Sequence, residues 1–411
     1  MTDWTIAPRE GHRRPGAPIS RGRSAPVRPR AARSGRLALP GEATGSFYLL
    51  LAVIVVITMI GLIMVLSSSA VRAVDEGSST WSYFARQVQW CALGTVALVA
   101  ALYAGPWVRR LAMPGWLVAV GLLLAVLVPG IGVRVNGAQR WIAGGGLQLQ
   151  PSELAKLAMV IFIADLVDRR RDELEDRCRG ARRVVRPVML ALGVVSLLIM
   201  LEPNLGTTLV IVAIAAGMLF AAGAPGRSLA GWLGTFVGAA VLSVARTPWR
   251  LNRLMAFRDP WAHSGGTGYQ TLQSQAAAAG GGLFGRGLGD SRAKWNYLPE
   301  AHTDFIYAVM AEELGLAGGV LMILLFLVVA AIGARIAFRA ESTFDQLLAV
   351  GITVWFVVQA FINMGAVVGV LPITGVPLPF VSFGGSSLLL TLAAAGVLLG
   401  VARRPAPAPD R

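Results

Sequence analysis

Long apolar runs separated by short polar segments make up most of the chain from residue 46 onwards. Runs of about 17–25 apolar residues have the length that an α-helix needs to cross a bilayer. The pattern predicts an all-α polytopic integral membrane protein with about ten transmembrane helices. The predicted spans are 46–70, 84–104, 114–131, 152–168, 187–202, 206–223, 228–245, 306–338, 344–369 and 383–402.

Arginines in the short connecting segments predict the orientation of these spans. Because short cytoplasmic loops carry an excess of Lys and Arg, the Arg-rich side is predicted to be cytoplasmic, with both termini on it. The loops 71–83, 132–151 and 370–382 then face outwards, together with one large extracytoplasmic loop, 246–305, between helices seven and eight. The arginines that support this orientation are Arg109, Arg110, the cluster from Arg169 to Arg186, Arg227, Arg335, Arg339, Arg403 and Arg404.

Composition supports a membrane location and limits the partners. The 411 residues are 55% hydrophobic and 14% charged, whereas soluble domains are about 25% charged. Much of the net charge of +15 lies in residues 1–45, which hold nine Arg and six Pro. This composition predicts a disordered, basic cytoplasmic tail before the membrane domain 46–402, and 403–411 is predicted to be a second cytoplasmic tail. Beside a span, a basic tail favours anionic lipid over nucleic acid as its partner.

The two cysteines and the first span exclude some other classes. Cys91 falls in a predicted span and Cys178 in a predicted cytoplasmic loop, so they are not expected to pair and are too few for a metal site. No cleaved signal peptide is predicted before the first span.

Polar residues cluster at the end of the large outer loop, in the run from Trp295 to Gly315. Asp304 immediately precedes the eighth predicted span, and a carboxylate at that depth is costly unless it has a role. An acid at a helix N-terminus is also common for electrostatic reasons alone. Glu300 lies four residues before Asp304, and the cations Arg286 and Lys294 lie upstream. This arrangement suits a general base beside a phosphorylated lipid.

A resident cofactor is not predicted. His302 and Asp304 form an H-x-D pair that could ligate a divalent cation such as Mg²⁺ or Mn²⁺, but turn and capping roles are more typical of such a pair. The Gly-rich stretch 280–289 does not follow a strand and lacks the Lys-Ser/Thr of a nucleotide-binding loop. A flexible re-entrant loop is the better interpretation.

Two further segments hold candidate substrate contacts. Pro151 is placed to start the fourth span, and Lys156 lies about one turn inside it, three residues after Glu153. Lys156 either contacts substrate or pairs with Glu153 or Glu202. Arg140 and Trp141 are either an interface anchor or an anion site. The Pro- and Gly-rich segment 371–387 either packs helices closely or, through Ser386, contacts substrate.

Taken in order, these segments resemble the shape, elongation, division and sporulation family of polytopic membrane proteins. The resemblance covers residues 46–402, and several independent motifs lie in register. They are RWI at 140–142, QPSELAKLA at 150–158, EPNLGTT at 202–208, GYQTLQSQ at 268–275, GGGLFGRGLG at 280–289, YLPEAHTDFI at 297–306, EELG at 312–315 and PFVSFGGSS at 379–387.

The resemblance implies a ten-helix peptidoglycan glycosyltransferase that polymerises lipid II on the outer face of the bacterial cytoplasmic membrane. Lipid II is an undecaprenyl diphosphate-linked disaccharide-pentapeptide. It implies Asp304 as general base of an inverting transfer, and a single-pass class B penicillin-binding transpeptidase and divisome regulators as partners. The run KWNYLPEAHTDF and Asp259-Pro260-Trp261 are more similar to division-type members, which act at the septum, than to elongation-type members. Asn204 departs from the family, which usually has an acid there.

Other functions remain open at this point. A lipid II flippase would use the same substrate without chemistry, an elongation-type polymerase would perform the same reaction elsewhere, and a scaffold would only recruit the transpeptidase. A scaffold needs no Asp304, and a flippase should tolerate the loss of one base better than an enzyme does.

Overall fold

A computed structural model describes residues 44–105, 107–135, 137–144, 147–174 and 176–403. The predicted tails therefore lie almost entirely outside the described residues. The helices are α1 (Gly45–Asp75), α2 (Ser82–Ala104), α3 (Trp107–Arg110), α4 (Ala112–Leu127), α5 (Pro151–Arg169), α6 (Arg177–Gly180), α7 (Arg186–Leu201), α8 (Leu205–Ala221), α9 (Gly226–Ala245), α10 (Pro248–Arg258), α11 (Thr267–Gly280), α12 (Ile306–Arg339), α13 (Thr343–Val367) and α14 (Gly385–Ala402). The strands are β1 (Gly132–Val135), β2 (Ala138–Gly144) and β3 (Leu147–Leu149).

The polytopic helical fold predicted from hydropathy is confirmed. Each predicted span corresponds to one long helix: α1, α2, α4, α5, α7, α8, α9, α12, α13 and α14. Within the described residues, seven helical segments are long and apolar enough to cross a membrane, and α4 and α8 are shorter apolar helices. Helix α5 carries Glu153, Lys156 and Asp165 among its buried residues, which lowers its mean hydropathy. The count of ten spans and the location of the termini remain predictions.

Three segments depart from the predicted arrangement. The segment before α5 is an antiparallel sheet in the order β1-β2-β3, whereas the sequence pattern predicted only a loop at 132–151. The large loop 246–305 contains α10 and α11. Helix α12 is interrupted at Gly315, where φ is 71° and ψ is −170°. The predicted eighth span is therefore a short helix that turns sharply into a longer one at Gly315.

Close helix packing forms one continuous apolar core. Helix α13 packs against α5, α8 and α12, and α14 packs against α2. A Cβ atom at Gly396 would lie 2.2 Å from the carbonyl oxygen of Leu98, so only glycine allows α14 to approach α2 this closely, as in other membrane helix pairs. The outer faces of α1, α4 and α9 expose apolar side chains, as lipid-facing helices do.

Hydrogen bonds from Arg140 show which helix ends lie at the same end of the bundle. Arg140 on β2, just before α5, donates to the carbonyl oxygens of Glu202 and Pro203 just after α7. The start of α5 and the end of α7 therefore lie at the same end. The segment that links α5 to α7, residues 170–185, must lie at the opposite end.

Candidate functional site

Asp304 lies in the turn that leads into α12, at the end of the bundle that holds the sheet. The amide of Asn363 on α13 donates to the backbone carbonyl of Asp304 at 2.8 Å and to that of Val376 at 2.8 Å. A Cβ atom at Gly375 would lie 3.3 Å from Oδ2 of Asp304. Helix α13 therefore holds the backbone of Asp304 through Asn363, and the loop between α13 and α14 packs against its side chain.

The carboxylate of Asp304 is half-buried, and among the described residues it has no hydrogen-bond or ion-pair partner. Burial and, to a smaller extent, the nearby Glu300 raise its pKa to about 6, against the opposing effect of Arg253 and Arg140. An unperturbed Asp has a pKa near 3.9 and is a weak base. The shift brings Asp304 closer to the pKa at which a carboxylate both remains ionised at neutral pH and accepts a proton readily.

Arg140 is held in place beside Asp304 by backbone carbonyls. Its Nε donates to the Glu202 oxygen at 2.9 Å and its Nη2 to the Pro203 oxygen at 2.6 Å. Its pKa is lowered by burial and by Arg253, and is raised by Glu202 and Asp304. The neighbouring Trp141 is half-buried and pairs with Val133 across the sheet. The remaining donor positions of Arg140 suit an anion.

Arg253 on α10 completes the charged group, and the sequence analysis missed it. Its guanidinium lies 5.3 Å from the ring centroid of Trp249 and has no hydrogen-bond or ion-pair partner among the described residues. Burial lowers its pKa, and Asp304 raises it. The signal was present: α10 is basic although it belongs to a loop predicted to face outwards, against the usual distribution of Arg.

A cavity of about 430 Å³ adjoins this charged group. Its lining is mostly polar and comes from α10, α11 and the loops on either side of Asp304. The lining residues are Arg253, Gly266, Tyr269, Gln270, Thr271, Pro299 and Ile373. Its volume falls in the range of small-molecule sites.

Arg286 and Lys294, the two cations predicted to lie near a phosphorylated lipid, bind acidic side chains of α12. Arg286 lies 3.3 Å from Glu312 and donates to the Gly280 carbonyl. Lys294 lies 3.8 Å from Glu313 and donates to the Gly289 carbonyl. Their charges are matched within the protein, because α12 brings two buried acids that the sequence analysis did not consider as their partners.

Glu312 anchors the Gly-rich segment against α12. Its carboxylate accepts from Ser291 Oγ at 2.7 Å and from the backbone N–H groups of Arg292 and Ala293 at 3.1 and 3.2 Å. At Gly285, where φ is 82°, a Cβ atom would lie 2.1 Å from the Glu313 carbonyl oxygen. The segment is therefore fixed to α12 rather than a flexible re-entrant loop.

Glu300 and His302 connect the Asp304 turn to α1 and α2. Glu300 has φ of 56° and accepts from Arg72 at 3.4 Å and from Thr303 Oγ1 at 3.1 Å. The His302 ring packs edge-to-face against Tyr83, at a centroid distance of 5.3 Å. Burial, with Arg72, lowers the pKa of His302 to about 4, so its ring is neutral at pH 7.

Lys156 and Ser386 have their polar contacts within the bundle. Lys156 is 1% exposed, and its Nζ lies 2.7 Å from Glu153 and donates to Gln359 at 2.7 Å. The prediction that Pro151 starts α5 is confirmed, and of the two acids considered as partners of Lys156 the structure pairs it with Glu153. Ser386 is fully buried and accepts from the backbone N–H of Gln150.

Glu202 and Asn204, which lie just after α7 and near Arg140, have surroundings that the sequence did not predict. Glu202 is fully buried, and neither of its carboxylate oxygens has a hydrogen-bond partner in the described part of the chain. Burial raises its pKa to about 8, and Arg140 opposes this shift. Asn204 accepts from the Thr207 N–H and caps α8, which explains how the chain accommodates an amide there. The predicted alternative of a Lys156–Glu202 pair is wrong, because Lys156 is paired with Glu153.

Within the described residues, no three His, Cys, Asp or Glu side chains are close enough to hold a metal ion. The His302 ring packs against the rings of Tyr83 and Phe383. A divalent cation at the site therefore stays a hypothesis.

Comparison with known proteins gives a consistent result. Residues 47–406 match the family of cell cycle proteins comprising FtsW, RodA and SpoVE. The chain is 40% identical to the probable peptidoglycan glycosyltransferase FtsW of Mycobacterium tuberculosis (strain ATCC 25618 / H37Rv), over 88% of this chain and 69% of that protein. It is 40% identical to the stage V sporulation protein E of Bacillus subtilis (strain 168), over 88% of this chain and 98% of that protein.

A solved structure gives the same result at the level of the fold. A chain described under "Structural coordination of polymerization and crosslinking by a peptidoglycan synthase complex" superposes with a TM-score of 0.68 at 28% identity. The match covers 86% of this chain and 96% of that chain.

Proposed function

Because the chain belongs to the FtsW, RodA and SpoVE family of cell cycle proteins, we propose that it is a peptidoglycan glycosyltransferase that polymerises lipid II into glycan strands for the division septum. The observation that best supports this is the unpaired Asp304 carboxylate. It interacts electrostatically with Arg140 and Arg253, and Arg253 lines a polar cavity. An enzyme of this type needs one base and cations for a diphosphate, and the site offers both.

The reaction is a single inverting displacement. Asp304 accepts the proton of the acceptor's N-acetylglucosamine 4-hydroxyl while that oxygen attacks the anomeric carbon of the growing chain. The new glycosidic C–O bond forms as the C–O bond to the diphosphate breaks, and the diphosphate leaves with the electron pair. An α-linked donor gives a β-linked product, so no second carboxylate nucleophile is needed.

Arg140 and Arg253 balance the charge of the diphosphate before and during its departure. Guanidinium groups suit this role because they form paired, charge-assisted hydrogen bonds to phosphate oxygens. The raised pKa of Asp304, about 6, makes it a stronger base than an ordinary Asp while leaving most of it ionised at pH 7.

The partners and location follow from the family. The chain acts in the bacterial cytoplasmic membrane, with Asp304 on the outer face and both termini inside, and works with a single-pass class B transpeptidase and divisome regulators. Similarity to a chain of a peptidoglycan synthase complex supports an assembly that includes a crosslinking partner.

Polymerisation in detergent tests this function against a flippase. Detergent-solubilised protein has no two leaflets, so chemistry is measurable there and transport is not. Purified protein, mixed with lipid II and its transpeptidase partner, is expected to make long glycan strands, even with the transpeptidase serine blocked and moenomycin present. No polymer with any partner, together with translocation of labelled lipid II in vesicles, would establish the flippase instead.

Cysteine labelling tests the orientation. Ser264 is exposed in the outer loop, whereas Ser274 is buried and unsuitable for labelling. In a variant with Cys91 and Cys178 replaced, Ser264→Cys is expected to react with an impermeant maleimide in intact spheroplasts. The exposed native Cys178, kept alone, is expected to react only after lysis. The reverse pattern would invert the proposed topology.

A further inference from the structure

A cleft of about 480 Å³ lies at the end of the bundle opposite Asp304, where the segment 170–185 meets the start of α7. We call it the arginine cleft. The proposed reaction does not use it, since it is separated from Asp304 by the length of α5 and α7. Its lining residues are Arg170, Glu173, Arg182, Arg183, Arg186, Pro187 and Leu190.

The arginine cleft carries an excess of positive charge. Arg183 lies 3.3 Å from Glu173, which matches one cation to the single acid of the lining. Arg170 donates to the Arg183 carbonyl. The guanidinium groups of Arg182 and Arg186 have no hydrogen-bond or ion-pair partner among the described residues. They are therefore available to an anion, for which Arg is the preferred ligand when the anion is a phosphate.

One acceptor in the cleft also lacks a partner. Oε1 of Glu173 accepts from Arg183, but Oε2 is buried and has no hydrogen-bond partner in the described part of the chain. A buried carboxylate oxygen without a donor is costly. Since the phosphate oxygens of a phosphodiester accept and do not donate, a ligand that satisfies both Arg182 and Glu173 must carry an anion and a hydroxyl donor together.

An exposed apolar track leads away from the cleft along α7. Its residues recur at helical spacing on one face, so they form a continuous surface of the length of the helix. Such a surface suits an acyl chain lying beside the helix. The residues are Leu190, Val194, Leu197 and Leu201.

We propose that the arginine cleft binds an anionic glycerophospholipid with a hydroxylated headgroup, of the phosphatidylglycerol type, from the leaflet at that end. The phosphodiester lies between Arg182 and Arg186, the headgroup hydroxyl donates to Glu173, and one acyl chain follows α7. Basic pockets between membrane helices are known to hold anionic headgroups at the cytoplasmic side, which is the predicted side of this segment.

Lipid binding by the full-length protein in neutral detergent tests the proposal. Native mass spectrometry and thermal unfolding are measured with dioleoyl-phosphatidylglycerol, dioleoyl-phosphatidic acid and dioleoyl-phosphatidylcholine. Phosphatidylglycerol is expected to bind best and to raise Tm. Arg182→Gln with Arg186→Gln should weaken it by about tenfold or more, because both charge-assisted hydrogen bonds to the phosphate are lost. Arg179→Gln is the matched control, because Arg179 lies in the same segment outside the cleft lining.

Two further measurements separate the lipid from other ligands. Glu173→Ala should reduce the preference for phosphatidylglycerol over phosphatidic acid, because only the former has the headgroup hydroxyl. Soluble glycerol 1-phosphate should bind much more weakly than the lipid, since it lacks the acyl chain. Equal binding of glycerol 1-phosphate would make a free phosphate ester the ligand, and equal binding of phosphatidylcholine, or undiminished binding by the double variant, would overturn the proposal.

The cleft variants also carry a folding control. Glycan polymerisation in detergent and Tm without added lipid should stay at the level of the unmodified protein, because the cleft lies at the opposite end from Asp304. A fall in both would mean that the arginines are structural and would overturn the proposal. Since polymerisation is measured separately, failure here leaves the proposed function standing.

Discussion

Two buried charges of the membrane domain, Lys156 and Asp304, have opposite surroundings. Lys156 contacts Glu153 and Gln359 at 2.7 Å each and lies 4.8 Å from the ring centroid of Trp355. Asp304 has neither a hydrogen bond nor an ion pair within the described residues, and its charge interacts with that of Arg253, which lines a cavity. Both are ionisable groups at positions where a charge is costly, yet only Lys156 has its cost offset by contacts.

The difference separates a structural charge from a reactive one. A buried charge is tolerated when a partner and hydrogen bonds surround it, because these contacts offset the cost of removing it from water. An acid without such contacts has its pKa set by burial and by distant charges, which is the usual arrangement for a general base. Depth of burial alone does not distinguish the two, since Lys156 is the more deeply buried and yet is paired.

The largest expected effect is the loss of catalysis in Asp304→Asn. The amide is nearly isosteric but cannot accept the hydroxyl proton, so polymerisation should fall by at least about 100-fold. Expression and Tm should change little, because the side chain has no partner to lose. The measurement is glycan polymer formed from lipid II by the purified variant, resolved on a gel.

The control for this variant is Asp290→Asn, which changes an exposed acid of the same outer segment. It should retain normal polymerisation. Near-normal polymer from Asp304→Asn would show that Asp304 is not the general base. The contrast between a structural Lys156 and a reactive Asp304 would then be wrong.

Lys156→Met should destabilise the protein rather than impair its chemistry directly. It leaves the Glu153 carboxylate buried without its cation, which costs about 3–5 kcal/mol when one partner of a buried pair is removed. Thermal unfolding in detergent is the measurement, and Tm should fall. Adding Glu153→Gln removes the unpaired charge, so the double variant should recover much of the loss.

Two other outcomes would contradict a structural role for Lys156. Lost polymerisation at unchanged Tm would give Lys156 a role towards substrate. Recovery by Glu202→Gln, and not by Glu153→Gln, would contradict the pairing in the structure.

The sequence predicted the helices well because span length and hydropathy are local properties. It left the partner of Lys156 open for a physical reason. Glu153 lies on the same helix face and was found from its spacing, but Gln359 and Trp355 lie about 200 residues away and join Lys156 only through the packing of α13 against α5. Arg286 and Lys294 were placed near substrate because their pairing with the buried acids Glu312 and Glu313 depends on the packing of the Gly-rich segment against α12.

Arg253→Gln tests whether a nearby cation sets the pKa of Asp304. Arg253 lowers the pKa of Asp304, which is about 6 in the intact site. Without that cation the pKa rises, so a larger fraction of the base is protonated at any pH near 6. The acid limb of kcat/KM should move to higher pH, and KM should increase roughly tenfold if the guanidinium also binds diphosphate.

Arg258→Gln is the matched control, because Arg258 lies at the exposed end of the same helix. Its pH profile should match that of the unmodified protein. An unshifted acid limb in Arg253→Gln would mean that Arg253 does not influence the base, and a shift towards lower pH would contradict the sign of the interaction.

The smallest expected effect is that of His302→Phe, which tests whether the residue two positions before Asp304 has any chemistry. The His302 ring packs against Tyr83 at 5.3 Å and Phe383 at 5.6 Å between centroids, and its pKa of about 4 keeps it neutral. Phenylalanine preserves these aromatic contacts and removes both ring nitrogens. Polymerisation at pH 7 should stay within about threefold of the unmodified protein, with the acid limb set by Asp304 unchanged.

Two outcomes would contradict this prediction. A loss comparable to that of Asp304→Asn would show that His302 takes part in the reaction, and a new dependence on added Mg²⁺ or Mn²⁺ would support the H-x-D ligand hypothesis. His302→Ala serves as the comparison, because it removes the packing as well, and its larger fall in Tm would identify the ring contacts as the role of this residue.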